Sequence, residues 1–303
     1  MGKKYALCIS GEFRTCALAW RNNLRFFNDL SNEYYFFVTT WDFNSGPNRE
    51  INLINLVLNN IFGYQFNYPR PSSISESDVL QVFQGINNVF VKIIPESLWQ
   101  SVKTKIHNLP SGRLENRILR SMRMFYLMET CDSERRAYEQ ESGVKFDAVL
   151  RVRPDSILKH NVFSQFNSAN TDLLFYADPN QEKYLWGPVN DQLFVGKSEV
   201  MTHVTSTFSA LLDYSREEGW HLPKESIHEV LVSESALSWH VKGIRDKFAV
   251  HSISTKTELL RPRQKLIVVD TVQRQVTRSQ TKYIIRHLLR KRLAGVINLI
   301  RGW

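Results

Sequence analysis

The chain has 303 residues, 43% of them apolar and 12% aromatic, which excludes a disordered chain and suits a large enclosed core. The formal charge of +9 is unevenly placed: residues 259–303 hold 11 of the 39 Lys and Arg against one acidic residue, Asp270. The first 258 residues carry 28 basic and 29 acidic side chains, so a basic body wrapped around nucleic acid is excluded and a basic appendage with its own role is indicated.

Taken in chain order, Lys4 to Ser10 reads as a buried first strand stopping at Gly11. The charged start before it lacks the longer apolar region and small-residue cleavage site of a secretory signal, so a cytoplasmic protein is expected. Residues 16–30 read as a helix, and Tyr34 to Trp41, rich in aromatic and β-branched residues, as a second strand. A loop follows over 44–49, then a helix over 50–62 and a Pro-rich break at 69–73. Val89 to Ile94 is a third strand closed by Pro95.

A long helical pattern runs from about Arg113 to Glu141, with Ile118, Met122, Phe125, Leu127 and Met128 on or near one face and Gly143 at its end. Phe146 to Val152 is a strand leading into Arg153-Pro154-Asp155, and 172–176 and 192–196 are two short strands. A helix is expected over about 224–241. Strands alternating with helices give an α/β fold, a Rossmann-type, mainly parallel sheet flanked by helices. Cys8, Cys16 and Cys131 form no CxxC pair and read as buried free thiols. No run of 18 uncharged apolar residues is present, so no membrane-spanning helix is expected.

Ligands of such sheets bind beyond the carboxyl ends of the strands, where three polar clusters fall. In Ser10-Gly11-Glu12-Phe13-Arg14-Thr15 a glycine lets the backbone approach a ligand and Arg14 offers paired hydrogen bonds to a diphosphate; a turn glycine beside a surface arginine is the plainer reading. Trp41-Asp42 ends the second strand. Residues 151, 153 and 155 alternate to one face, putting Arg151, Arg153 and Asp155 together at a strand end. A nucleotide diphosphate, with or without a divalent cation, would satisfy that trio, and so would an arginine–aspartate pair capping the strand. Asn190-Asp191 suits sugar hydroxyls, with Asp191 a base for an acceptor hydroxyl, or simply a turn. Glu229 lies on the expected 224–241 helix, as a second base candidate or a solvated carboxylate.

Together these motifs resemble a family of GT-A-type glycosyltransferases of bacterial surface-polysaccharide loci and some large DNA viruses. The resemblance rests on the G-x-x-R loop at Gly11–Arg14, the strand ending Thr40-Trp41-Asp42, the D-x-x-x-R-x-R-P-D segment Asp147–Asp155, and Asn190-Asp191-Gln192-Leu193-Phe194-Val195-Gly196. It spans residues 4–260 in the expected order. It implies a nucleoside-diphosphate-sugar donor and a saccharide or lipid-linked saccharide acceptor, in surface polysaccharide synthesis. Gly11, Arg14, Asp42, Arg151, Arg153, Asp155 and Asn190 would bind the donor, and Asp191 or Glu229 would serve catalysis. Asp155 would stand for the last carboxylate of a D-x-D site for Mn²⁺ or Mg²⁺, but position 153 is arginine, so one carboxylate of that pattern is missing.

The expected organisation is a catalytic domain over 1–258 and a basic segment over 259–303. From about Thr277, Ile285, Leu288, Leu289, Val296 and Ile300 share a helical face while Lys282, Arg286 and Arg290 line another. Such a basic amphipathic helix suits an anionic membrane surface on the cytoplasmic side, with Trp303 as interfacial anchor. Packing on the body, or binding a nucleic acid, are the other uses of the same pattern. A non-catalytic protein acting through this helix is the alternative to the transferase; the neutral body leaves no nucleic-acid partner expected.

Overall fold

The computed structural model describes residues 2–13, 16–44, 72–158, 160–177, 189–220, 233–244, 247–254, 259–260, 268–269 and 275–276. The chain divides into two units, Met1–Asn44 with Ser73–Leu260, and Ser45–Ser72 with Arg261–Trp303. In the second, the described residues include a short antiparallel pair, Val268–Val269 with Gln275–Val276. The expected helix over 50–62 and the basic helix after Thr277 lie outside the described residues.

The first unit is built on a seven-stranded sheet. Its strands are β1 (Lys4–Ser10), β2 (Glu33–Trp41), β3 (Val89–Ile94), β4 (Ala148–Val152), β5 (Leu173–Ala177), β6 (Val189–Gly196) and β7 (Val250–Ser254). They lie in the order β7-β5-β6-β4-β1-β2-β3. β6 runs antiparallel to β4 and β5, and every other adjacent pair is parallel. The expected mainly parallel α/β sheet flanked by helices is thus present.

β1 is apolar throughout because both its faces are covered, as parallel strands require. Ala6 and Cys8 face one core; Tyr5, Leu7 and Ile9 face the other. The first core is closed by α4 (Arg113–Ser142), which starts after Gly112 and stops at Gly143, φ 71°. Ile118, Met122, Phe125, Leu127 and Met128 are all buried on it. Further along, the buried stripe turns polar. Arg135 pairs with Asp132 and Glu139 and donates to Ser198 Oγ (2.5 Å) and Thr202 Oγ1 (3.2 Å) of α5 (Ser198–Thr205). The second core centres on α1 (Cys16–Asn23), whose Trp20 packs among Phe27, Phe36 and Phe83.

Helix α1 is shorter than the expected 16–30, ending in a single 3₁₀ turn, Leu24–Phe26. Side chains beyond it compete for the backbone: the Asp29 carboxylate accepts from Ser31 N (3.2 Å), Ser31 Oγ (2.6 Å) and Asn32 Nδ2 (2.9 Å), and also from the Tyr34 hydroxyl. Helices α2 (Glu76–Val82), α3 (Glu96–Lys103) and α6 (Thr207–Glu217) complete the set with α7 (Ser233–Ile244). α7 falls within and beyond the expected 224–241 span, of which 224–232 lie outside the described residues. The three cysteines are free and buried. Among the described residues no helix is long and apolar enough to cross a membrane.

Candidate active site

The strand order reverses at β1: the chain leaves it for β2 on one side and later returns as β4 on the other. Such a switch opens a crevice at the carboxyl ends of the two strands. Ser10 and Gly11 form one lip, and Arg151 to Asp155 the other. Because β6 is antiparallel, its beginning lies at the same end of the sheet: Arg153 N donates to Gln192 O at 3.0 Å, bringing Asp191 alongside.

The turn after β4 is held from below. Asn23, fully buried at the end of α1, donates through Nδ2 to Ser156 O (2.8 Å) and accepts at Oδ1 from Leu158 N (2.9 Å). Pro154 sits against Gly11, whose φ of +145° suits only glycine; a Cβ there would stand 2.9 Å from Pro154 Cδ.

Arg151 has no exposed surface. Its Nε donates to Ser10 Oγ at 3.4 Å and its Cζ lies 5.5 Å from the centre of the Phe194 ring. Nη1 and Nη2 have no hydrogen-bond partner among the described residues. Burial pushes its pKa down to about 10, with the neighbouring Arg153 charge adding and Asp191 and Asp155 opposing, so it stays a cation at neutral pH. A buried guanidinium with unused donors is costly unless an anion completes it.

Arg153 is differently placed. Its side chain is 27% exposed, and it grips Asp155 with two parallel bonds, Nε–Oδ1 at 3.0 Å and Nη2–Oδ2 at 3.1 Å. Nη1 reaches Asp191 Oδ2 at 3.5 Å. Asp155 above all, then Asp191 and Glu12, hold its pKa above the ordinary arginine range against the opposing effect of burial. Arg151, Arg153, Asp155 and Asp191 therefore form one cluster with Ser10 and Gly11 at the strand ends.

Asp42 ends β2 as expected, but its Oδ1 accepts from Glu96 N at 2.8 Å and so closes the start of α3. Glu96 pairs with Arg123, whose guanidinium lies 4.7 Å from the centre of the Trp41 ring. Burial pushes the Glu96 carboxyl up; Arg123 opposes this, while Asp42 and Glu12 add to it. The Glu12 carboxylate thus bears on both Glu96 and Arg153. Arg14 and Glu229 lie outside the described residues, and of Asn190 only the backbone is described, in β6. Ser10, Glu12, Glu96 and Arg123 were not among the sequence candidates. Glu96 had a signal, since it follows Pro95 directly at the carboxyl end of a parallel strand.

The resemblance implies a divalent cation held by Asp155. Among the described residues no three Asp, Glu, His or Cys side chains converge as a ligand set. Both Asp155 oxygens face Arg153, as does one of Asp191. This donor set does not fit a cation as it stands, since hard divalent ions need carboxylate oxygens free to turn towards them.

No protein-family model matches the chain, and no curated protein matches it. Solved structures with a similar course include the galactosyltransferase LgtC in complex with donor and acceptor sugar analogues, and an active-site variant of LgtC. Each is 10% identical, with a TM-score of 0.42, over 84% of this chain and 74% of the other.

Proposed function

We propose that the chain is a glycosyltransferase using a nucleoside-diphosphate sugar, with the diphosphate bound in the crevice between β1 and β4. The observation that carries this reading is Arg151: a fully buried cation at the switch point, with two nitrogens that have no partner among the described residues, beside a partly exposed Arg153. A diphosphate supplies the anionic oxygens such donors lack. The order of motifs from Gly11 to Gly196 supports a sugar as its other half.

In the transfer, the bond from the anomeric carbon to the diphosphate oxygen breaks with its electron pair going to that oxygen. A new bond forms from an acceptor hydroxyl oxygen to the same carbon, and the hydroxyl proton passes to a base. Arg151 and Arg153 would stabilise the charge growing on the leaving diphosphate. Asp191 stands in the cluster as the base candidate; Glu229 is the second. The acceptor class is a saccharide, free or lipid-linked. Residues 259–303, with eleven basic side chains and one acidic, would hold the enzyme against an anionic membrane surface.

A thermal-shift screen of nucleoside-diphosphate sugars tests the reading. A donor at 100 times its Kd should add about 2.7 kcal/mol to stability by mass action. Arg14→Ala and Asp155→Ala should stay folded and lose donor turnover. No stabilisation by any donor, or full turnover in both variants, would refute it.

A further inference from the structure

We infer that the Arg153 guanidinium is the resident cation of this site, and that a nucleoside diphosphate binds there without a divalent metal ion. The inference rests on the transferase reading and deepens it. Asp155, the carboxylate that the resemblance gives to a metal, converges with Asp191 on one guanidinium, at 3.0 and 3.1 Å for Asp155 and 3.5 Å for Asp191. A guanidinium in a bidentate clasp occupies the direction from which a metal would approach that carboxylate. It also cannot step aside by losing its proton, since arginine remains charged at any pH a folded enzyme experiences. A divalent ion added beside it would face a fixed like charge.

Arg153 is nonetheless placed to serve a ligand. Its side chain is 27% exposed, so part of it is open to a ligand. Its fork has five N–H donors, and three nitrogen-to-oxygen contacts leave two for phosphate oxygens. Asp155 then acts as a positioning residue, orienting the guanidinium rather than a metal. The R-x-R-P-D sequence follows: Arg151 meets the ligand from within the core and Arg153 from the crevice.

Two measurements on the full chain decide the matter. The first is Mn²⁺ uptake without nucleotide, read from the electron paramagnetic resonance of the free ion. Wild type should take up none, whereas Arg153→Met, with both carboxylates released, should bind Mn²⁺, and adding Asp155→Asn should abolish that binding. The second is calorimetric binding of UDP and GDP in EDTA and in Mn²⁺. Wild type should bind its nucleotide equally in both buffers. Arg153→Met should lose about 10- to 100-fold in EDTA, the worth of a charge-assisted hydrogen bond, and Arg153→Lys should recover part of it. Circular dichroism and thermal melting establish that each variant is folded. Mn²⁺ uptake by wild type that Asp155→Asn removes, or nucleotide binding only in Mn²⁺, overturns the inference. Failure of every nucleotide to bind in both buffers strikes the transferase reading instead, and the inference falls with it.

Discussion

Arg151 has a stability consequence opposite to its binding role. Among the described residues its two Nη atoms lack acceptors, so a side chain of similar volume without charge should fit the ligand-free core at little loss. Arg151→Met should leave the apo protein unchanged or stabilise it by about 1–3 kcal/mol, while nucleotide-dependent stabilisation disappears; urea unfolding with and without nucleotide measures both. At Gly11 the reverse holds. Gly11→Ala meets both the positive φ and Pro154, and should destabilise by about 1–3 kcal/mol. Alternation predicts that 151, 153 and 155 gather, but β4 ends at Val152, and it is the turn after it that lets Arg153 clasp Asp155. Asp191's arrival beside them was not legible, since pairing of β6 with β4 depends on long-range register that local pattern does not encode. Asp42 was legible as a strand-end residue, but its bond to the Glu96 amide depends on α3, an element the sequence pattern did not reveal.

Among elements, the clearest link is between α1 and the site turn. Asn23→Ala orphans the Ser156 carbonyl and the Leu158 amide, at about 1–3 kcal/mol for each. Because these bonds hold the turn carrying Arg153 and Asp155, nucleotide affinity should fall with stability. Between α4 and α5, Arg135→Met takes the cation from buried Glu139 and leaves buried Asp132 with Arg136 at 3.3 Å, and should cost about 3–5 kcal/mol; chemical denaturation checks it. α7 supplies a pH test. His240 Nε2 lies 2.6 Å from the His203 carbonyl, and burial, with the nearby His203 charge, lowers its pKa, against the carbonyl bond and Glu129. The unfolded chain therefore takes up the proton first, and stability falls as pH drops below 6.5 until the folded-state pKa is passed. His240→Gln should flatten that part of the curve between pH 7.5 and 5. Long, strongly patterned elements such as α4 and β2 could be read from the chain. Short ones such as α2 were missed, although Ser75 and Asp78 form a reciprocal cap that local sequence does signal.

For the whole molecule, charge separates the parts. With a body near neutrality and a strongly basic end, vesicle binding should reside in residues 277–303 and fade with salt, since the screening length at physiological ionic strength is about 8 Å. Cutting the chain after residue 276 should abolish binding to anionic vesicles and leave nucleotide binding intact, as flotation and calorimetry would show; equal vesicle binding by both forms would refute the assignment.

The central pairing of β1 with β4 also shapes how the protein is made. Tyr5 meets Ala148 and Ile9 meets Val152, so one edge of β1 stays without its partner until β4 has left the ribosome. At about 5–20 residues per second, that wait is roughly 7–28 s. Through it the nascent chain carries an unfinished apolar edge at Ala6-Leu7-Cys8-Ile9, and a chaperone that shields the segment during translation would be serving the very strand on which the crevice later opens.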